Sequence, residues 1–113
     1  MMRRFALLLP LALFAPAQQV SLINTVVRAR TYTAAMDDAA AIVQQLRQLD
    51  QKEFRVLGPA PAPLGKLRGE YRVQFLLKST NRKKMREALL AVLAKRPDVA
   101  RRTTVDVDPV SVL

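Results

Sequence analysis

Eight cations and one acid fall between Lys66 and Arg86: Lys66, Arg68, Arg72, Lys78, Arg82, Lys83, Lys84 and Arg86, against Glu70. Such a run is suited to holding an anion, whether a nucleic-acid phosphate, an acidic protein tail or an anionic membrane surface. The whole chain carries a formal net charge of +10 over 113 residues, so most of the surplus sits in this stretch. Arg82, Lys83 and Lys84 fall where a helix should begin, and each cation there opposes the helix dipole by about a few tenths of a kcal/mol. A bound phosphate or carboxylate would offset that cost, and the free N–H groups of the helix start would add donors.

Asp106 and Asp108 are the other candidates for chemistry. Two residues apart, they share one face of a strand. Paired carboxylates can hold Mg²⁺ or work as acid and base. Nothing else in the chain converges on this pair, so both are expected to make salt bridges to nearby basic residues. The chain has no cysteine and no histidine. That excludes disulfides, thiolate or imidazole metal sites, and Ser-His-Asp or Cys-His catalysis. It also carries no Walker A sequence, Gly-rich phosphate loop or nucleophile motif. The expectation is a protein with no catalytic residue, no metal, no cofactor and no small-molecule substrate.

The elements that must position the cations follow from periodicity. VSLINTVVR, residues 20–28, is β-branched and apolar on both faces, and suits a strand buried on two sides. From Thr31 to Asp50 the period becomes helical, with Met36, Ala39, Ala40, Val43 and Leu46 on one stripe and Thr31 or Thr33 as cap. Phe54–Leu57 reads as a short strand ended by Gly58. Pro59, Pro61 and Pro63 exclude a central strand and predict a stiff, extended edge or turn. Glu70–Lys78 alternates, with Tyr71, Val73, Phe75 and Leu77 on one face and Arg72, Gln74 and Lys78 on the other. Residues 82–96 form an amphipathic helix through Met85, Ala88, Leu89, Val92 and Leu93, stopped by Pro97. Thr103–Val107 is a last strand. The order β-α-β-β-α-β predicts an α+β ferredoxin-like split βαβ sandwich, with two helices on one face of a four-stranded sheet. Only six aromatics are present, none of them Trp, so the core is expected to be aliphatic.

Three stretches together carry a family resemblance. VLGPAPAPLGKLRGEYRVQFLLKS, then NRKKMREALLAVL, then TTVDVDPVSVL resemble the C-terminal domain of primosomal protein N′, the replication-restart helicase PriA. The resemblance covers about residues 20–113. It implies a non-catalytic module that helps to bind single-stranded and branched DNA. It also implies part of a pocket for the acidic tail of the single-stranded DNA-binding protein, and contacts with the helicase core or other primosome proteins. The motor and zinc motifs of that helicase are absent from this chain. By the resemblance, the tail-binding residues fall on Arg82 and Arg86. The DNA-binding role would fall on Lys66, Arg68, Arg72 and Lys78, with Lys83 and Lys84 beside them. Tyr71 could stack on a base, although its alternation places it with the core. The proline segment would set the register of the basic strand and lower the entropy cost of binding.

Residues 1–19 depart from this pattern. MMRRFALLLPLALFAPA has a basic start, an apolar run and an A-x-A site at Ala15–Ala17, the layout of a signal peptide. The apolar run is shorter than the ~20 residues that a membrane span needs. The expectation is a domain over 20–113 preceded by a signal-peptide-like or aberrant extension, in a truncated or frame-disrupted gene product located in the cytoplasm. The alternatives are an exported, small cationic α+β protein and a non-functional gene fragment.

Overall fold

The computed structural model describes residues 19–49 and 52–108. Residues 1–18 of the extension expected over 1–19, Asp50 at the end of the expected first helix, and Pro109 at the carboxyl end lie outside these residues. Seven elements follow in order: β1 (Ser21–Ala29), α1 (Tyr32–Gln48), β2 (Arg55–Leu67), β3 (Glu70–Ser79), α2 (Arg82–Ala94), α3 (Pro97–Arg101) and β4 (Thr103–Val107). The strands form one sheet in the order β2-β3-β1-β4. Each neighbouring pair is antiparallel. This is the expected α+β split βαβ arrangement, with one additional short helix.

Alternation sorts the central strands into two faces. On β1, Ile23, Thr25 and Val27 stand directly opposite Leu77, Phe75 and Val73 of β3. All six are buried. Against them lie Ala35, Ala39, Ile42, Val43 and Leu46 of α1 and Met85, Leu89, Val92 and Leu93 of α2, so both helices cover the same sheet face. Burying an aliphatic side chain of this size stabilises by roughly 1.5–3 kcal/mol. The core is therefore aliphatic apart from Phe54 and Phe75, as the composition implied. Among the described residues, the opposite face carries no helix.

Local signals explain the element ends. Thr31 is the N-cap of α1 and its hydroxyl accepts from the Ala34 N–H at 3.1 Å. Asn81 caps α2, accepting from the Lys84 N–H at 3.1 Å. Pro97, expected only to stop α2, also occupies the first turn of α3. Proline is at home there because its missing N–H would have had no intrahelical partner.

The proline segment departs from expectation. It does not end the second strand: β2 runs for 13 residues through Pro59, Pro61 and Pro63. Edge position makes this possible, since one side of an edge strand has no ladder partner. The ladder with β3 shifts register between Leu57 and Ala60 and again between Pro61 and Lys66. Gly58 permits the first shift: its φ is +108°, and a Cβ there would lie 3.2 Å from the Gln74 carbonyl oxygen. Arg47 of α1 holds this segment from outside, donating to the carbonyls of Val56 (3.3 Å) and Gly58 (3.1 Å). The reversal comes later, at Arg68 and Gly69, where φ is 53° and 79°. Positive φ at both residues belongs to a tight two-residue hairpin turn.

Candidate functional site

The structure divides the eight expected cations among three places. Lys66 and Arg68 sit at the β2–β3 hairpin. Lys66 lies opposite Tyr71 in the ladder, and therefore on the helix side of the sheet. Its Nζ stands 5.1 Å from the centroid of the Tyr71 ring. Tyr71 meets Tyr32 edge-on at 6.4 Å. Tyr71 is therefore engaged with Lys66 and Tyr32 on the covered face, and the open face holds no aromatic side chain on β1, β3 or β4. The hairpin and the start of α2 are separated by the ten residues of β3, about 33 Å of strand. They are two poles of the molecule.

Arg72 and Lys78 do project from the open face, and the register gives each a cation as neighbour. Arg72 is directly opposite Arg28 of β1. Lys78 is directly opposite Arg55 of β2. Like charges facing each other across a ladder are destabilising, yet this face has two such pairs. Arg28 is held by the Arg101 and Arg102 carbonyls (3.4 and 3.3 Å), and Arg72 donates to the Leu64 carbonyl at 3.4 Å. Arg55 and Lys78 are exposed and have no side-chain partner among the described residues. Between the two pairs runs a groove of about 380 Å³ lined by Asn24, Val26, Ala62, Leu64, Gln74 and Leu76, with Arg72 at one end. Glu70 and Asp106 are the acids on this side of the sheet. Reasoning from the sequence missed Arg28 and Arg55. Both sit in strands apparent from periodicity, but only the pairing register shows which residues they face.

The remaining cations belong to α2. Arg82, Lys83 and Arg86 surround a second groove of about 480 Å³ together with Glu87 and Leu90. The spacing places them on the helix surface turned away from the core residues Met85 and Leu89. Leu90 is 50% exposed, and the stems of three long basic side chains extend its apolar floor. Such a groove suits a short acidic peptide bearing an apolar side chain. Lys84 points elsewhere, to Glu53 at 3.2 Å. The two expected tail-binding residues, Arg82 and Arg86, thus line one groove.

Only one carboxylate of the pair makes the expected salt bridge among the described residues. Asp106 lies opposite Asn24 in the ladder. Asp108, just past β4, accepts the Leu22 N–H at 2.9 Å and pairs with Arg82 at 3.2 Å. The expected salt bridge is therefore present for Asp108. No group of three or more metal-ligating residues occurs among the described residues.

A family model described as the primosomal protein N C-terminal domain matches residues 12–110. No curated protein matches the chain. Among solved structures, the de novo designed protein Foldit4 is similar, with a TM-score of 0.58 and 11% identity over 79% of this chain and 93% of that one. At that identity the likeness concerns fold alone.

Proposed function

Because the chain belongs to the family of primosomal protein N C-terminal domains, a replication-restart module distinct from the helicase core, we propose that it is a non-catalytic module that binds single-stranded or forked DNA and the acidic tail of the single-stranded DNA-binding protein. The observation that carries this reading is the surplus of free cations. Of the eight between Lys66 and Arg86, only Arg82 and Lys84 have a carboxylate partner among the described residues. Charge left unneutralised on a surface attracts polyanions and steers their approach. The two ligands fit different places: the tail fits the α2 groove with its cations and Leu90, and the DNA backbone fits the cations of the sheet.

Fluorescence anisotropy tests both halves. With four to five phosphate contacts, binding of labelled single-stranded DNA should weaken with salt, with a log–log slope of roughly −3 to −3.5. A slope near zero would remove the DNA half. Converting Arg82 and Arg86 together to Ala should weaken an acidic tail peptide by at least about tenfold, since hydrogen bonds to charged groups are each worth ~1.5–3 kcal/mol. Unchanged peptide affinity would remove the other half.

A further inference from the structure

We propose that the sheet face away from α1 and α2 carries one continuous track for a single DNA strand, with phosphates on the cross-strand cation pairs Arg28/Arg72 and Arg55/Lys78 and an unpaired base between them in the groove of Asn24, Val26, Gln74 and Leu76. The proposal rests on the DNA-binding reading above and gives it a place and a register. It also removes the hairpin cations Lys66 and Arg68 from the principal contact.

Three observations converge on it. Two like-charged pairs stand directly opposite each other in the ladders, an arrangement that costs stability when unoccupied and is relieved by a shared anion. The pairs are six residues apart along β3, about 20 Å, a span that a strand of several nucleotides bridges. The surface between them is of a different kind: aliphatic floor from Val26, Leu76, Ala62 and Leu64, with the carboxamides of Asn24 and Gln74. The Asn24 Oδ1 is buried and has no hydrogen-bond partner among the described residues. Amides beside an apolar floor suit the edge and face of a nucleobase, whose donors and acceptors are exposed only when the base is unpaired. A shallow sheet groove reaches splayed bases and cannot enter a duplex groove as a helix would. Without an aromatic platform, base stacking contributes little, so affinity rests mainly on phosphates and is strongly dependent on salt.

The test uses the full chain, a labelled oligothymidylate and anisotropy at several salt concentrations. R55A/K78A changes two exposed side chains with no partner among the described residues and removes one like-charge pair, so circular dichroism should match the parent and thermal unfolding should come at the same or a slightly higher temperature. Its affinity should fall about tenfold and its salt slope should shrink by about 1.4, which is two single-strand phosphate contacts. K66A/R68A should stay within about twofold of the parent. Gln74→Ala should weaken binding with the slope unchanged, because it meets a base and not a phosphate. Unchanged binding in R55A/K78A, or loss in K66A/R68A instead, overturns the track while leaving DNA binding in place. Unchanged binding in Gln74→Ala overturns the base-binding groove. A parent chain that fails to bind at low salt overturns both the track and the reading beneath it. A dimer that persists at high salt and is not displaced by the oligonucleotide would show that a second copy covers the face, and would also overturn the track.

Discussion

At the scale of single residues, Arg82 lines the α2 groove and is already engaged. Asp108 holds it at 3.2 Å, with side-chain exposures of 60% and 39% for the two partners. An incoming peptide carboxylate must share or displace that partner. Replacing Asp108 with Asn keeps an oxygen for the Leu22 N–H and tolerates the left-handed backbone of this position (φ 49°), because Asn, like Asp, can bond locally there. D108N should therefore raise affinity for an acidic tail about two- to fivefold, the range of an exposed ion pair. Isothermal titration calorimetry reads this directly, and a loss of affinity would mean that Asp108 positions Arg82 for its ligand. Arg86 has no partner among the described residues, so nothing of this kind restrains it.

At the scale of elements, β2 is where the chain departs most from a reading of its sequence. Strand, helix and cap signals were legible because they are local. Thr103–Val107 forms a strand with the expected bounds, and Thr31 caps α1 as its side chain allows. The prolines indicate an extended edge or a turn, and the structure shows the edge, paired as a strand through all three. Pairing across the register shifts depends on Gly58 fitting against the backbone of Gln74 and Phe75, a tertiary contact with no local signature. Gly58→Ala should destabilise the domain by about 1–3 kcal/mol through combined steric and backbone strain. Thr31→Ala should cost ~0.5–2 kcal/mol through loss of the cap. Urea unfolding by circular dichroism measures both. A neutral Gly58→Ala would mean that β2 pairs differently from this arrangement. Prolines along this edge also blunt strand addition there.

At the scale of the whole molecule, one sheet separates two kinds of work. The face toward α1 and α2 holds the core, and the face away from them displays Arg28, Arg55, Arg72 and Lys78. The concentration of charge between Lys66 and Arg86 was legible in the sequence, but its division was not. Eight cations close in sequence become a hairpin pole, an open-face row and a helix groove once β3 runs between them. The central proposal is that DNA and acidic peptide occupy separate surfaces of the module. The most direct test is ¹H–¹⁵N NMR of the labelled chain, titrated first with oligothymidylate and then with an acidic tail peptide. The account predicts DNA-induced shifts around Arg55, Arg72, Gln74 and Lys78, and peptide-induced shifts around Arg82, Lys83, Arg86 and Leu90, with both ligands bound together. Shifts from both ligands at the same residues, or mutual displacement, would contradict it.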